Sequence, residues 1–488
     1  MDVYKTFLDA ANKQPNKTAL IHKDREVKFS EAAKDVNRLA NAFKEMGMRK
    51  GEKLAIFLSN SIEYVYSMIA SLGLGVTVIP LDMSLKMEEL KNILSHAEAD
   101  YLITKENLDF DLPHLKGIIY DIEDLINKSE KSPIDEKISE EDIAFIFYTS
   151  GTTGRSKAVP LTYKQLDSPI AVYDYNKILE DCLVVVCYVP LSHTGGLSYL
   201  LMFVKIGSTL ILGERFSPSR FLDDIETYKV TATWVPPSIL EAILRSREID
   251  KFSLKSLKII IYFGAPASPE FIKKVKEKFG CPWVTGLGLT ETAGPFVVYC
   301  SKNAPEKQFK KGIMGKVPPW VKVKTIDEME KELPPGEIGE ILVKGYFVMS
   351  GYYKEPELTR EVLRDGWLYT GDLGYLDEEG YLYITGRKKD VIITGGLSVY
   401  ANEVEFVISQ HQKVKEVAVI GTPDKLRGEV VKAVVVSKNG TRLFPREIIS
   451  FCKKRLPGYK VPKLVEFKKD LPKTPLGKVK KLELERIK

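Results

Sequence analysis

Cysteine and histidine are scarce in this sequence, and neither residue type forms a recognisable metal-binding pattern. None of the cysteines forms a CxxC pair and their number is odd, so neither a disulfide framework nor a zinc site is expected. The five histidines lack ligand spacing, which argues against a histidine-rich metal centre. This usage fits a reducing cytoplasm. The five cysteines are Cys182, Cys187, Cys281, Cys300 and Cys452.

The sequence also lacks a hydrophobic run long enough to cross a bilayer. Its longest uncharged apolar stretch, residues 66–81, is shorter than a membrane span and predicts a buried helix followed by a strand. Residues 1–15 lack a basic region followed by an apolar run, so no signal peptide is expected. With 44% hydrophobic and 28% charged residues and a net charge of +6, the chain predicts a soluble globular protein. We expect no integral membrane segment and no nucleic-acid partner.

Strand-like and helix-like apolar segments alternate over roughly the first 300 residues. Leu54–Leu58 predicts a strand, Ile62–Leu72 a helix and Val76–Pro80 a strand. Such a rhythm implies parallel strands covered by helices. Because 488 residues exceed one ordinary core, the predicted fold class is α/β, with two doubly wound α/β subdomains in a large N-terminal domain.

The pattern becomes β-rich after about residue 300, and then changes again. Turns and short strands alternate in "ELPPGEIGEILVKG" and "LDEEGYLYITG", which predicts a β-rich subdomain. From Val391 the order is strand, helix, two strands, helix and strand, typical of a small α+β domain. The polar turn at residues 386–390 is the predicted boundary, so the N-terminal domain spans residues 1–386 and the C-terminal domain residues 387–488.

The stretch "YTSGTTGRSK", residues 148–157, is not explained by core packing. Glycines let backbone N–H groups converge on a ligand, hydroxyls add donors, and Lys157 adds full charge, which together suit a polyphosphate. The spacing is not that of a Walker A loop. Taken alone, such a loop is a flexible connector about as often as a phosphate site.

Six further motifs accompany this loop and resemble, in order, those of the AMP-forming adenylating superfamily. They are "PLSHTGGL" (190–197), "FGAP" (263–266), "GLGLTET" (286–292), "YTGDLG" (369–374), "GRKKDVIITGG" (386–396) and "PKTPLGK" (472–478). The superfamily comprises acyl- and aryl-CoA synthetases, adenylation domains of nonribosomal peptide synthetases, and firefly luciferases. The resemblance spans nearly the whole chain.

The resemblance implies a reaction that needs electrostatic stabilisation more than a base. A carboxylate is already ionised at neutral pH, so joining it to the α-phosphate of ATP requires only that two anions be held together. This chemistry fits motifs rich in cations, hydroxyls and glycines. The implied cofactors and co-substrates are ATP, Mg²⁺ and coenzyme A.

The resemblance also implies roles for the residues that match these motifs. Glu291 would be the magnesium carboxylate, and Thr290 would contact the α-phosphate. Asp372 would accept hydrogen bonds from the ribose hydroxyls, and Arg387 would reach the ribose from the domain junction. Lys157 and the loop residues Thr149, Ser150, Gly151, Thr152, Thr153 and Gly154 would hold the β- and γ-phosphates. The adenine would lie beside Gly264, Ala265, Pro266, Gly286 and Leu287.

Relatives usually have tyrosine at position 287, proline at 156 and proline at 401, where this chain has Leu287, Ser156 and Ala401. Leucine keeps apolar contact with an adenine but loses the aromatic contribution. Serine is expected to loosen the phosphate loop without abolishing it, and alanine makes the helix start less rigid.

The C-terminal domain of the family is mobile and rotates between two half-reactions. Lys478 is expected to be the principal catalytic residue of the first, where it would neutralise charge on the joining carboxylate and α-phosphate. Lys389 would be the hinge. After rotation, Gly395 and Gly396 would leave room for the pantetheine arm of coenzyme A.

The resemblance therefore predicts an acyl-CoA synthetase acting on a medium- or long-chain fatty acid or an aryl acid, which connects it with fatty acid metabolism. His193 is expected to line the acyl pocket; Trp234 either narrows that pocket or belongs to the core. The alternatives are a luciferase-like oxygenase, a non-catalytic nucleotide-binding relative and, within the class, ligation to a carrier-protein thiol. A small-molecule acid is the expected partner, and a homodimer is considered.

Overall fold

The structure is a computed structural model. It describes residues 1–488 except 109–111, 150–155, 264–268, 305–309, 311, 425, 439–440, 474–478 and 486–488. Among these described residues, no helix combines the length and the apolar character needed to cross a membrane.

Strands and helices alternate through the first 300 residues. The strands are β1 (Thr18–His22), β2 (Arg25–Lys28), β3 (Lys53–Phe57), β4 (Thr77–Pro80), β5 (Tyr101–Thr104), β6 (Gly117–Ile119), β7 (Ile143–Thr149), β8 (Lys157–Thr162), β9 (Val184–Cys187), β10 (Thr209–Leu212), β11 (Ala232–Trp234), β12 (Ile259–Ile261), β13 (Trp283–Leu289) and β14 (Gly294–Cys300). The helices are α1 (Val3–Lys13), α2 (Phe29–Glu45), α3 (Ile62–Gly73), α4 (Met87–Ala97), α5 (Ile122–Lys128), α6 (Ser168–Tyr175), α7 (Thr194–Ile206), α8 (Pro218–Tyr228), α9 (Pro237–Leu244) and α10 (Pro269–Phe279).

Strands dominate the rest of the chain. They are β15 (Ile313–Lys316), β16 (Lys322–Ile326), β17 (Gly339–Lys344), β18 (Leu363–Arg364), β19 (Trp367–Leu376), β20 (Tyr381–Arg387), β21 (Val391–Thr394), β22 (Leu397–Tyr400), β23 (Val414–Asp424), β24 (Gly428–Ser437) and β25 (Leu464–Phe467). The helices are α11 (Pro356–Val362), α12 (Ala401–Ser409), α13 (Pro445–Lys453) and α14 (Lys481–Glu485).

Two largely parallel sheets form the first part of the molecule. The first sheet has the strand order β6-β5-β3-β4-β7-β8, and the second has the order β14-β13-β12-β11-β9-β10-β1-β2. Their central strands read as continuous apolar runs, such as Val184–Cys187 and Ile259–Ile261, because helices cover both faces. The two predicted α/β subdomains are thereby confirmed.

The two sheets share one hydrophobic core. Buried side chains of β3 and β4 belong to the same cluster as those of β9 and β10. Helix α3 begins at Ser61, whose hydroxyl accepts a hydrogen bond from the N–H of Tyr64, and it is buried along nearly its whole length. The shared core thus fixes the carboxyl ends of the two sheets relative to each other. In α/β folds, ligands bind at these carboxyl ends.

A third sheet and a fourth sheet follow. The third sheet, in the order β15-β20-β19-β17-β16 with β18 beside β19, is the predicted β-rich subdomain. The fourth sheet, β22-β21-β24-β23 with β25 beside β24, forms the separate C-terminal domain with its own core. Strand β20 ends at Arg387 and β21 begins at Val391. The exact domain boundary stays a prediction.

The sequence interpretation misplaced some elements. The strand predicted at Leu54–Leu58 is shifted by one residue and spans Lys53–Phe57. A strand expected to lead directly into α12 is instead a hairpin of β21 and β22. Its turn is made by Gly395 and Gly396, whose φ angles of 58° and 79° lie in the left-handed region that glycine adopts without strain.

Candidate active site

Part of the predicted site lies outside the described residues. This applies to Ser150, Gly151, Thr152, Thr153 and Gly154 of the phosphate loop, to Gly264, Ala265 and Pro266, and to Lys478. The structure describes the segments that flank them and the remaining predicted residues.

The phosphate loop starts and ends on neighbouring antiparallel strands. Thr149 is the last residue of β7 and Lys157 the first residue of β8, and the two are paired in the ladder. Residues 144–147 of β7 form an apolar run that is buried in the first sheet. The ladder therefore fixes both ends of the loop at the carboxyl end of β7.

Lys157 and Glu291 both contact Tyr352. The Tyr352 hydroxyl donates a hydrogen bond of 2.8 Å to Oε1 of Glu291, and the Nζ of Lys157 lies 4.9 Å from the centroid of the Tyr352 ring. A cation above an aromatic face is attracted by the ring quadrupole. The predicted phosphate-binding lysine and the predicted metal carboxylate thus converge on one side chain.

Glu291 sits in a short 3₁₀ turn, Thr290–Thr292, directly after β13. Its carbonyl accepts a hydrogen bond of 2.8 Å from the N–H of Met349. With Oε1 engaged by Tyr352, Oε2 remains as the hard oxygen donor that Mg²⁺ prefers. The described residues contain no cluster of three or more ligating side chains. The single free carboxylate oxygen of Glu291 fits Mg²⁺, which usually keeps several waters and takes further ligands from substrate phosphates.

Asp372 and Arg387 form an ion pair at the end of the third sheet. They lie opposite each other in the β19–β20 ladder, with Arg387 Nε 2.8 Å from Asp372 Oδ1. Asp372 is only 1% exposed, whereas Arg387 is exposed. A buried carboxylate next to an exposed arginine gives the third sheet an acceptor group directed at its junction with the C-terminal domain.

A second ion pair lies beside the first. Lys388 Nζ is 2.7 Å from Oε2 of the buried Glu340, whose Oε1 accepts a hydrogen bond of 3.2 Å from the N–H of Gly371. Glu340 belongs to β17, and Lys388 belongs to the 3₁₀ turn Lys388–Asp390. This pair connects the third sheet to the segment that leads into the C-terminal domain.

Gly286 and Leu287 lie on β13, which ends at the Glu291 turn. A Cβ atom at Gly286 would come within 2.3 Å of the Val297 carbonyl on β14, so only glycine fits this approach of the two strands. Leu287 is buried, with 7% of its surface exposed.

His193 pairs with an aspartate from the other sheet. It precedes α7, and its Nε2 lies 2.9 Å from Oδ2 of Asp82, which follows β4. Burial alone would raise the pKa of Asp82, but hydrogen bonds from His193 and Ser84 outweigh it and lower this pKa to about 2. Asp82 is therefore ionised at neutral pH, and His193 Nε2 is the donor.

Asn60, which follows β3, also holds the loop that carries His193. Its side-chain amide donates to the carbonyls of Val189 and Gly213, at 3.0 and 3.2 Å, and its Oδ1 accepts from the N–H of Leu191 at 2.9 Å. Trp234, in contrast, is a core residue: it is buried and its Nε1 donates to the Tyr173 hydroxyl.

The C-terminal residues of the predicted site lie on turns. Lys389 is exposed within the 3₁₀ turn Lys388–Asp390, and Gly395 and Gly396 are exposed at the β21–β22 turn. An isolated β-bridge between Lys473 and Val479 brackets the segment that contains Lys478.

Sequence interpretation missed Tyr352, Asp82, Asn60 and Glu340. Tyr352 is 61 residues from Glu291 and Asp82 is 111 residues from His193. Each of the four lies outside the glycine- and hydroxyl-rich patterns that drew attention to the motifs. The one usable signal was position, since Asn60 and Asp82 each follow a strand of a parallel sheet.

Comparison with protein-family models decides the membership of the chain. The model "AMP-binding enzyme" matches residues 7–353, and "AMP-binding enzyme C-terminal domain" matches residues 403–478. The chain belongs to the AMP-binding enzyme family. The resemblance inferred from the seven motifs is confirmed.

Two similar curated proteins are CoA ligases. A long-chain-fatty-acid–CoA ligase of Bacillus subtilis (strain 168) is 34% identical over an alignment of 522 residues. The alignment covers 96% of this chain and 92% of the relative. A feruloyl-CoA synthase of Amycolatopsis sp. is 33% identical over 480 residues, and the alignment covers 98% of this chain and 97% of the relative.

A similar solved structure is the o-succinylbenzoate CoA synthetase of Bacillus subtilis in complex with its acyl-adenylate intermediate. It superposes with a TM-score of 0.87 at 31% identity and covers 99% of this chain and 98% of its own. The same synthetase is known with ATP and a magnesium ion.

The predicted fold class and the prediction of an AMP-forming acid–thiol ligase are confirmed. The luciferase-like and non-catalytic alternatives are wrong, because these members of the AMP-binding family are CoA ligases and synthetases.

Proposed function

We propose that this ligase activates a monocarboxylic acid in two steps. A carboxylate oxygen attacks the α-phosphorus of ATP, the bond to the β-phosphate oxygen breaks, and pyrophosphate leaves. The thiol sulfur of coenzyme A then attacks the acyl carbon, the thiol proton is released, and AMP departs. Adenylation makes the second attack feasible because AMP is a far better leaving group than oxide.

The observation that carries this proposal is the convergence of Lys157 and Glu291 on Tyr352. Lys157 carries the charge that suits the β- and γ-phosphates, and Glu291 would hold Mg²⁺ through Oε2. When bound, the ion would neutralise the charge that develops on the pyrophosphate. Thr149 and the loop that follows it would supply further donors, and Thr290 would contact the α-phosphate.

The nucleoside would lie between β13 and the Asp372–Arg387 pair. Asp372 is buried and ionisable, so its carboxylate suits the two ribose hydroxyls, and the exposed Arg387 can reach the ribose from the junction. Gly286 and Leu287, together with residues 264–266, would form the surface beside the adenine.

The second half-reaction would need the C-terminal domain in another orientation. We assign the pivot to Lys389, which lies between the third and fourth sheets. The exposed Gly395–Gly396 turn lacks Cβ atoms, and an added Cβ at either position would meet no atom within 4 Å, so a slim pantetheine arm has room there.

The acid is proposed to be a medium- or long-chain fatty acid or an aryl acid without a second negative charge. The relatives act on fatty, feruloyl and o-succinylbenzoyl groups, so their names leave this choice open. The ionised Asp82 beside His193 favours acids that bring no further anion to this side of the site, because like charges repel.

A screen of pyrophosphate release tests the proposal. The protein is incubated with ATP, Mg²⁺ and a panel of fatty, aryl and dicarboxylic acids, with and without coenzyme A. We expect release with fatty or aryl monocarboxylates and acyl-CoA only when coenzyme A is present. Preference for a dicarboxylate would contradict the proposed substrate, and thioester formation only with a carrier protein would contradict coenzyme A as the acceptor.

Lys478 separates the two steps in a second experiment. Lys478→Ala is expected to cripple acyl-AMP formation, because a charge that stabilises the joining anions is lost. Thioester formation from supplied acyl-AMP should be largely spared. Rapid-quench measurement of each half-reaction checks this, and equal loss in both would contradict the assignment.

Location and assembly belong to the same proposal. The free, buried cysteines suit a reducing cytoplasm. A homodimer stays a prediction that sedimentation velocity can test.

A further inference from the structure

Tyr352 occupies a position between two nucleotide-binding motifs that neither motif contains. It lies on the segment between β17 and α11, and only 7% of its surface is exposed. Its hydroxyl reaches Glu291 after β13, and its ring supports Lys157 at the start of β8. One side chain from the third sheet's region therefore contacts functional groups of both the first and the second sheet.

Backbone hydrogen bonds hold this segment on both sides. The N–H of Met349 donates to the carbonyl of Glu291 at 2.8 Å, and the N–H of Tyr353 donates to the carbonyl of Ala158 at 2.9 Å. The N–H of Tyr352 itself donates to the Thr359 hydroxyl of α11 at 2.9 Å. These bonds hold the backbone of residues 349–353 against the Glu291 turn and β8, and the Tyr352 side chain extends from that anchored backbone.

The hydroxyl of Tyr352 is the donor in its contact with Glu291. Its oxygen lies 2.8 Å from Oε1, and a carboxylate oxygen accepts hydrogen bonds. This hydrogen bond restricts rotation of the carboxylate, which presents Oε2 as the remaining ligand oxygen.

The ring and the hydroxyl of Tyr352 contact two groups of opposite charge. Among the described residues, neither Lys157 nor Glu291 takes part in an ion pair, although both contact the same tyrosine. A direct Lys157–Glu291 pair would neutralise both groups and would have to break when a metal-bound nucleotide arrives. Cation–π contact stabilises Lys157 without consuming its hydrogen-bond donors.

We propose that Tyr352 is a positioning residue for metal–nucleotide binding: its hydroxyl orients Glu291 toward the metal ion, and its ring holds Lys157 toward the phosphates. This inference rests on the proposed function, in which Glu291 meets the ion and Lys157 meets the phosphates. The hydroxyl and the ring therefore make separable contributions, one to metal affinity and one to nucleotide affinity.

The test uses the full chain with Tyr352→Phe, Tyr352→Leu and the control Tyr353→Phe. The control removes a hydroxyl from the neighbouring tyrosine, whose ring packs against that of His96. Mn²⁺ binding in the presence of ATP is measured by electron paramagnetic resonance, and ATP binding without metal by isothermal titration calorimetry. Neither measurement requires turnover.

Tyr352→Phe is expected to weaken Mn²⁺ binding to the ATP complex about tenfold while metal-free ATP affinity stays within about twofold, since only a hydrogen bond to a charged group is lost. Tyr352→Leu should weaken metal-free ATP binding as well, because the cation–π contact is also removed. Tyr353→Phe should leave both affinities unchanged.

Unchanged Mn²⁺ affinity in Tyr352→Phe would overturn the inference, as would an equal loss in Tyr353→Phe. If Tyr352→Leu does not fold, Tyr352→Phe still decides the role of the hydroxyl, with circular dichroism and thermal unfolding as folding controls. A wild-type protein that binds Mn²⁺ and ATP but releases no pyrophosphate with any acid would refute the proposed function, while the binding measurements would still judge Tyr352.

Discussion

At the scale of the residue, position 287 combines a departure from the family pattern with a buried location. Leu287 has 7% of its surface exposed on β13, four residues before Glu291. Leucine supplies apolar contact but lacks the π-face that an adenine ring can stack on. The departure is therefore expected to weaken nucleotide binding without changing the chemistry of the phosphates.

Leu287→Tyr is expected to lower the Michaelis constant for ATP by about two- to tenfold, because an aromatic pair contributes about 0.5–1.5 kcal/mol. Steady-state pyrophosphate release at varied ATP measures this, with Leu287→Met as a control that keeps apolar contact without a ring. A constant that stays the same or rises in Leu287→Tyr would show that residue 287 does not contact the adenine.

Tyr352 shows at the same scale why some site residues escape sequence analysis. Lys157 and Glu291 lie in motifs with an unusual composition, so a pattern was available to find them. Tyr352 gains its place only because the segment between β17 and α11 folds back onto both motifs. A contact that forms across 61 residues leaves no local periodicity to detect.

At the scale of the element, the loops after β3 and β4 hold the loop after β9. Asn60 binds three backbone groups of the second sheet's loops, and Asp82 binds the His193 side chain. The connection crosses from one sheet to the other at their carboxyl ends. The acyl side of the proposed site is therefore shaped by residues from both α/β subdomains.

The Asp82–His193 contact has a defined pH dependence. The pKa of Asp82 is about 2 in the folded chain, below its ordinary value of 3.8. A lowered pKa stabilises the folded state above pH 3.8, and this contribution is lost as the pH falls from about 4 to about 2. The unfolding free energy of the wild type should therefore exceed that of Asp82→Asn by about 1–2 kcal/mol at pH 7. This difference in unfolding free energy should become smaller below pH 4.

Urea unfolding from pH 3 to pH 8, followed by tryptophan fluorescence, measures this difference. Asp135→Asn is the matched control, since Asp135 is largely exposed in its pair with Lys5 and should have little effect at any pH. A difference between wild type and Asp82→Asn that widens on acidification would contradict the assigned sign.

The elements that the sequence predicted well are those with strong periodicity. Strand β4 begins one residue after its predicted start, and helix α3 ends one residue after its predicted end. Strand β22 was missed because the segment 397–400 is only four residues long and follows two glycines, a pattern that is also typical of a loop. Pairing with β21 decides their conformation, and pairing is a property of the fold rather than of the segment.

At the scale of the whole molecule, side-chain contacts hold the junction between the third sheet and the C-terminal domain. The Asn402 amide donates to the carbonyl of Thr385, and the Lys388–Glu340 pair lies next to the proposed hinge Lys389. Glu340 is buried, so its carboxylate depends on Lys388 and on the N–H of Gly371. This pair stabilises the observed orientation of the junction.

Lys388→Met is expected to lower the unfolding free energy of the N-terminal domain by about 1–2 kcal/mol, because a buried carboxylate loses a charged partner. Urea unfolding measures the change. The double variant Lys388→Met/Glu340→Gln should recover part of the loss, since the uncompensated charge is removed. Equal stability of Lys388→Met and wild type would contradict a stabilising role for the pair.

The closed base of the phosphate loop has a consequence for engineering and for evolution. Because residues 149 and 157 are paired with each other in one antiparallel ladder, the two ends of the intervening segment are held together by the flanking strands. The intervening residues can therefore vary in sequence while the strand pairing that anchors both ends is retained.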